Sequence, residues 1–318
     1  MPVKTLKLAE EKNRFILKAP ASSGKAMKSR LAPFLLGVAA LTLLFSAPLY
    51  HLLRLAVASD LYSDIPVIPL MCLYLVWLRR ERMPVTFEPA FKLAALFFSV
   101  GLLTLGGYWI FGRDPALPVE DYLAWNISAL LLFFAGLCCV FPGGAFMRAF
   151  ACPMALLAFT VPFPAGLLDY IDTLLQHGSA ACAGAFFTIA GDPVIRDGLY
   201  FHLPDIIIRV APECSGIHST VVLAIVSIAG SWLFLRSPWK RAVLVLAVVP
   251  LALVRNGFRI FVIGHLCITD GPQMIDSPIH HHGGPLFFAL SLLPFFLLLF
   301  VLRKTEGTNR EPSTRPLL

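Results

Sequence analysis

Long apolar segments recur along nearly the whole of this chain, and they restrict its fold more than any other feature. A helix needs about 20 apolar residues to cross the hydrocarbon core of a bilayer, and several runs approach that length. Only 14% of the residues are charged, against roughly 25% in soluble domains, which leaves little chain for a soluble domain. We predict eight spans, with approximate bounds 31–52, 64–78, 92–111, 122–141, 150–168, 214–235, 242–262 and 284–302.

The charged residues between these spans predict how the chain is oriented. Basic residues concentrate in alternate links and at both ends, whereas acidic, turn-rich stretches occupy the other links. Because basic loops are retained in the cytoplasm, we expect both termini there, with a basic arm at 1–30, a membrane domain at 31–302 and a tail at 303–318. The net charge of +7 therefore indicates membrane topology and contact with anionic lipids, and no nucleic acid partner is expected.

The longest predicted link, residues 169–213, lies on the outer side between spans five and six. Its first part has helical spacing and is expected to lie along the membrane surface or to dip into it. Its second part has turn signals at Asp192-Pro193 and Asp197-Gly198 between β-prone segments. The chain is therefore predicted to be an all-α polytopic membrane protein with about eight transmembrane helices and a long extracytoplasmic loop.

One of the seven cysteines differs from the others in its surroundings. Most of them lie inside apolar runs, where cysteine acts as a small hydrophobic residue. Cys214 instead follows Pro212 and Glu213 and precedes Ser215 and Gly216. A helix N terminus favours the thiolate through its free N–H groups and its dipole, so a cysteine in the first turn of span six is a candidate nucleophile. A purely structural cysteine is the alternative.

Span seven contains two arginines within an apolar sequence, LVRNGFRIFVIG. Arg255 and Arg259 are four residues apart and share a helix face, and Asn256 lies three residues before Arg259. A charged arginine costs about 2.5–3.5 kcal/mol near mid-bilayer on insertion scales, so these side chains indicate a functional site near the outer end of the span. Snorkelling to lipid headgroups is the alternative, and it is harder for Arg255.

Three adjacent histidines, His280, His281 and His282, precede span eight. Histidine is the usual general base near neutral pH. No HExxH motif and no carboxylate at ligand spacing accompanies the run, so we predict neither a metal nor another cofactor; a solvated loop is the alternative. Cys214, Arg259 and a histidine at the outer ends of three spans are the parts of an acyl-transfer site, with nucleophile, oxyanion donor and proton carrier.

Three motifs in this order resemble the exosortase/archaeosortase family of polytopic transpeptidase-like membrane enzymes. They are ECSGI at 213–217, NGFRI at 256–260 and HHHGGPLFF at 280–288. Three other stretches are also similar, namely YSDIPVIPLMCLYLVWLRR at 62–80, VPFP at 161–164 and GDPVIRDGLYF at 191–201. The resemblance covers roughly residues 35–302, which is nearly the whole chain.

The resemblance implies a role for each motif residue. Cys214 would be the nucleophile, Arg259 the transition-state arginine and His280 the proton carrier, since His280 stands four residues before a glycine that is followed by two phenylalanines. His281 and His282 remain competitors for that role. Supporting or substrate-binding roles are expected for Ser215, Gly216, His218, Arg255 and Asn256.

The resemblance also implies a bacterial exosortase of the inner membrane with its active site on the periplasmic side. Its partners would be secreted proteins that end in a short Pro-Glu-Pro-like motif, a transmembrane helix and a basic tail. An acyl-enzyme would pass to an amine or to water, linking the protein to surface-protein sorting and exopolysaccharide. The residues alone leave two alternatives, a transporter and a non-catalytic membrane subunit of polysaccharide export, although no inverted repeat typical of transporters is visible.

Overall fold

The computed structural model describes residues 22–82, 88–112, 117–279 and 283–308. Within these residues the α-helices are α1 (Ser22–Leu44), α2 (Ser46–Ala58), α3 (Val67–Leu78), α4 (Phe91–Phe111), α5 (Val119–Val140), α6 (Gly144–Ala149), α7 (Ala151–Leu156), α8 (Ala165–Ala190), α9 (Ile217–Phe234), α10 (Pro238–Leu246), α11 (Val248–Thr269) and α12 (Gly284–Thr308). Short 3₁₀ helices occupy Asp60–Tyr62, Arg80–Arg82, Leu157–Thr160, Pro212–Cys214 and Pro272–Asp276. Most of the predicted basic arm and tail lies outside the described residues.

The helices confirm an all-α polytopic membrane protein. Six described segments are long and apolar enough to cross a membrane, and the number rises to eight if each of two bent helix pairs is one span. The predicted number, about eight, therefore falls within the observed range. The first predicted span, 31–52, is divided, because α1 ends at Leu44 and α2 begins at Ser46.

The fifth predicted span, 150–168, has different bounds in the structure. Its helical part ends with the 3₁₀ turn Leu157–Thr160, and α8 begins only at Ala165. The intervening sequence VPFP contains two prolines, which lack a backbone N–H and disfavour a helical backbone in the residue before them, and Val161 is accordingly extended. The helical spacing predicted for the start of the outer link is confirmed, but that helix includes the end of the predicted span.

A small antiparallel sheet with the strand order β1-β2-β3 joins α8 to α9. Its strands are β1 (Ile195–Asp197), β2 (Tyr200–His202) and β3 (Ile207–Arg209). Gly198 has a φ of +58° between β1 and β2, a left-handed conformation that glycine adopts readily. The turn signal at Asp197-Gly198 is therefore confirmed, and β3 leads within a few residues to Cys214.

The chain divides into two compact units. The N-terminal unit comprises residues 1–54 and 67–161, and the C-terminal unit comprises residues 55–66 and 162–318. In the N-terminal unit Phe45, Ala129 and Phe133 form a buried apolar cluster. The C-terminal unit contains the described residues of all three motifs identified in the sequence.

Two apolar clusters hold the C-terminal unit together. The first combines α8, the sheet and α11, and its buried members are Ala180, Ala183, Phe187, Phe201, Leu203, Val210, Ile260 and Cys267. The second joins the region from α9 to α12, and its buried members are Leu223, Leu235, Leu244, Val248, Phe295, Leu299 and Leu302. Together these clusters fix α11 between the elements that border the candidate site.

α8 and α11 approach each other closely through a glycine of α11. A methyl group added at Gly257 would lie 2.5 Å from Cβ of Cys182 and 2.9 Å from the carbonyl oxygen of Ser179. Real side-chain atoms do not approach so closely, so no larger residue fits without movement of a helix. Small residues serve the same purpose in other membrane helix pairs, where they let backbones approach. The neighbouring Asn256 is thereby brought against α8.

Candidate active site

The segment that carries Cys214 is a tight turn ahead of α9. Cys214 is the last residue of a 3₁₀ helix, and its N–H donates to the carbonyl oxygen of Ala211 over 2.9 Å. Gly216 follows with a φ of +74° and precedes the first residue of α9. The sequence predicts Cys214 in the first turn of that helix, whereas in the structure Cys214 lies just before α9 begins. Its side chain is half-buried.

Asn256 of α11 holds this turn in place. Its side-chain nitrogen Nδ2 lies 2.7 Å from the carbonyl oxygen of Cys214, 3.0 Å from that of Ser215 and 3.0 Å from Oγ of Ser179. An amide nitrogen carries two hydrogens, so these three acceptors share them. Asn256 is 3% exposed, and water therefore does not compete for the same groups. One buried side chain connects α8, α11 and the cysteine segment.

Arg255 supports the same turn from the adjacent position. Its Nη2 donates to the carbonyl oxygen of Gly216 over 3.3 Å. The residue is 7% exposed, and within the described part of the chain its Nη1 is buried without a hydrogen-bond partner. A buried donor without an acceptor costs about 1–3 kcal/mol, so this guanidinium group does not owe its position to its hydrogen bonds alone. Snorkelling to headgroups does not explain this buried guanidinium.

A cavity of about 710 Å³ opens beside the turn. Both arginines, Arg255 and Arg259, line it, together with Ser215 and Gly216 from the segment that carries the cysteine. Asn256 and Pro212 also line it, and further lining groups come from the start of α9, from residues 59–64 and from α12, among them Asp60, Asp64, His218, Pro285, Phe287 and Phe288. The wall of the cavity therefore has a cationic part formed by the arginines, an acidic part formed by the aspartates and an apolar part formed by the phenylalanines.

The three adjacent histidines, His280, His281 and His282, lie outside the described residues. The residues that follow them do border the site, since Gly284, Pro285 and Phe287 line the cavity. Within residues 22–82, 88–112, 117–279 and 283–308, no three histidine, cysteine or carboxylate side chains form a group that could hold a metal ion.

Two residues that the sequence did not single out contact the predicted ones. Asp64 lies 2.8 Å from Nε2 of His218, although 154 residues separate them. Ser179, which is fully buried on α8, contacts Asn256. Asp64 lies in the stretch at 62–80 that resembles the exosortase family, and this resemblance was the only indication in the sequence that Asp64 belongs to the site. Ser179 had none, because a serine in an apolar helix has no distinctive pattern.

The arrangement has the chemical features of a site for acyl transfer. Guanidinium groups are strong hydrogen-bond donors, and they stabilise negative charge that develops on an oxygen atom in a site with little water. Here two of them line a cavity whose wall continues into the segment that bears a thiol. A carbonyl compound bound in this cavity would lie next to both guanidinium groups and to Ser215, the residue that follows Cys214.

Comparison with known proteins agrees with these features. A family model described as transmembrane exosortase (Exosortase_EpsH) matches residues 54–297. That range includes the cysteine turn, both arginines and most of the described membrane-spanning segments. No match was found among curated proteins or among solved structures. Because this family model matches well over half of the chain, the multi-pass membrane protein described here belongs to the transmembrane exosortase family.

Proposed function

We propose that the protein is a membrane-embedded cysteine peptidase and transpeptidase that cleaves C-terminal sorting signals of secreted proteins. The observation that carries the proposal is the hydrogen bond from Asn256 to the backbone of Cys214, beside a cavity lined by Arg255 and Arg259. Family membership supports a cysteine peptidase or transpeptidase in general terms. The site then acts at the outer face of the bacterial inner membrane, with both termini in the cytoplasm.

Each candidate residue has a defined role in this proposal. The thiolate of Cys214 attacks the scissile carbonyl carbon, and Arg259 stabilises the oxyanion that forms. The carbon–nitrogen bond breaks, the leaving amine takes a proton from His280, and an acyl-enzyme remains. An amine or water then attacks the thioester, gives a proton back to His280 and releases Cys214. His281 and His282 remain alternatives to His280.

The proposed substrates fit a membrane-embedded site. They end in a short Pro-Glu-Pro-like motif, a transmembrane helix and a basic tail. A substrate helix can pack beside the spans of the protein, with its basic tail held in the cytoplasm. The motif then emerges at the outer end of the helix, where the cysteine segment is predicted to lie. Processing of such proteins is the proposed link to surface-protein sorting and exopolysaccharide.

The mass of a secreted reporter that carries such a tail tests the proposal. The reporter is made in cells that contain the wild-type protein, the Cys214→Ala variant or the Cys152→Ala variant. Cys152 is the matched control, because it is another half-buried cysteine and lies in the N-terminal unit. We expect shortening at the motif with the wild type and with Cys152→Ala, and full-length reporter with Cys214→Ala.

The same experiment has an outcome that would overturn the proposal. Normal shortening by Cys214→Ala would exclude this cysteine as the nucleophile. If no form of the protein changed the reporter, the processing function would be contradicted in favour of a transporter or a non-catalytic subunit. Additional mass on the new C terminus would identify the acceptor and show transfer rather than hydrolysis.

A further inference from the structure

His218 is paired with a carboxylate on the wall of the cavity. Its Nε2 lies 2.8 Å from Oδ2 of Asp64, and the two side chains are 43% and 40% exposed. His218 belongs to the first turn of α9, four residues after Cys214, and Asp64 belongs to the short connection between α2 and α3. Both residues are part of the C-terminal unit.

The partner of Nε2 determines which ring nitrogen of His218 is basic. An ionised carboxylate can only accept hydrogen bonds, so Nε2 must carry the hydrogen that it donates to Asp64. In the neutral ring the lone pair is then on Nδ1, which is the atom that can take up a proton. The pair is therefore arranged for proton uptake and release.

The surroundings of the pair are those of the candidate site. Asp64 and His218 line the same cavity as Ser215, Arg255 and Arg259, and Asp60 is the other acidic group on its wall. A half-exposed ion pair contributes little to folding, because water solvates and screens both partners. Stability alone is thus a poor reason for this arrangement.

We propose that His218, oriented by Asp64, carries protons in the acyl-transfer reaction. This inference rests on the proposed function and adds a proton carrier that the family motifs do not include. The imidazole accepts the thiol proton of Cys214, which leaves the thiolate that attacks the carbonyl carbon, and it keeps that proton while the acyl-enzyme exists. In the second half it returns the proton to the sulfur as the carbon–sulfur bond of the thioester breaks. Asp64 is a positioning residue, since it acts through His218.

The chain offers a matched control for this pair. Nδ1 of His265 lies 3.0 Å from Oδ2 of Asp192, and its ring is 42% exposed, nearly the same as that of His218. This second pair also belongs to the C-terminal unit but is not part of the cavity wall. Variants of His265, whose partner Asp192 is only 9% exposed, therefore report what the loss of a histidine–aspartate pair with a half-exposed ring does to folding alone.

The experiment measures reporter processing by the full-length protein in membranes, together with the mass of the enzyme itself. We expect His218→Ala to lower the processing rate by about 100- to 10,000-fold, the usual range for loss of a general acid–base. His265→Ala should remain within a few-fold of the wild type. Added imidazole should restore part of the rate of His218→Ala, since it supplies the missing base. Asp64→Glu, which keeps the carboxylate, should recover part of the rate that Asp64→Ala loses.

The mass of the enzyme shows which half of the reaction needs His218. Together with the Cys214→Ala variant, it also distinguishes failure of the His218 inference from failure of the proposed function. If an acyl-enzyme accumulates on His218→Ala, the slow proton transfer belongs to the second half of the reaction. If no acyl-enzyme is detected, the slow proton transfer belongs to the first half. Either result supports the inference when imidazole rescues the rate. Processing by His218→Ala as fast as by His265→Ala, or a slow His218→Ala that imidazole does not rescue, would overturn it. Processing of the reporter by Cys214→Ala would contradict the proposed function itself, and this result differs from every result that contradicts only the role of His218.

Discussion

The side-chain amide of Asn256 donates a hydrogen bond of 2.7 Å to the carbonyl oxygen of Cys214, which lies 42 residues earlier in the chain. This contact fixes the backbone of the proposed nucleophile to the helix that carries both arginines. The geometry of the candidate site therefore depends on a residue that performs no step of the chemistry.

The first prediction concerns Asn256. In Asn256→Asp the donor is replaced by an acceptor, so the carbonyl oxygens of Cys214 and Ser215 lose their partner and meet a negative charge. Loss of a partner costs about 1–3 kcal/mol for each buried polar group left unsatisfied. We expect reporter processing to fall at least tenfold and thermal stability in detergent to decrease. Ser179→Ala is the control, because it leaves the contacts to both carbonyls intact, and an equal effect of the two variants would contradict the prediction.

The second prediction concerns the left-handed turn after Cys214. A methyl group at Gly216 would lie 3.1 Å from Nη2 of Arg255 and 3.2 Å from Oδ1 of Asn256. The left-handed conformation itself costs a non-glycine residue about 1–2 kcal/mol. Gly198→Ala imposes the same backbone strain at a position with no atom within 4 Å. We expect Gly216→Ala to abolish most processing and Gly198→Ala to reduce stability only, as measured by reporter mass and thermal unfolding.

The third prediction concerns the contact between α8 and α11. Gly257→Ala should separate the two helices, because the added methyl group has no room beside Cys182. Overpacking of this kind costs about 1–3 kcal/mol. In Gly230→Ala the methyl group of α9 has no neighbour within 4 Å, so that variant should be neutral or slightly stabilising. Thermal unfolding of the two variants in the same detergent is the measurement, and equal transition temperatures would refute the steric argument.

The fourth prediction concerns the other end of the C-terminal unit. The carboxylate of Glu306 accepts hydrogen bonds from the N–H groups of Arg236 and Ser237, at distances of 2.9–3.1 Å. It thereby caps α10, since the side chain of Ser237 makes no capping hydrogen bond. Loss of a helix cap costs about 0.5–2 kcal/mol, so Glu306→Ala should lower the unfolding temperature. Its processing rate per folded molecule should equal that of the wild type; a lower rate would show that this end also serves the reaction.

Local patterns in the sequence predicted much of the fold. Apolar length located α4 at 91–111, where a span was predicted at 92–111, and Asp197-Gly198 located the turn of the sheet. Both features depend on neighbouring residues alone. The break before α8 was not predicted. The sequence VPFP is as apolar as its surroundings, so hydropathy shows no interruption there, although its prolines interrupt the helix.

The candidate site was predicted in its residues but not in its connections. Asn256 was expected to share a functional region with Arg259, and the structure adds that it binds the backbone of Cys214. Asp64 and Ser179 were not predicted as site residues, since each meets its partner across at least 77 residues of chain. Such long-range pairs follow from helix packing, which a single sequence does not display.

The close contact between α8 and α11 also decides when the proposed nucleophile, Cys214, is in position. Gly257, which permits the contact, is adjacent to Asn256, which holds Cys214. A slip of α11 by one residue along α8 would put a bulkier side chain into the contact and remove the amide from the cysteine turn at the same time. Assembly of the site thus follows correct docking of these two helices. Under the proposed function, a newly inserted, half-folded chain would therefore be inactive toward secretory proteins that pass beside it in the bilayer.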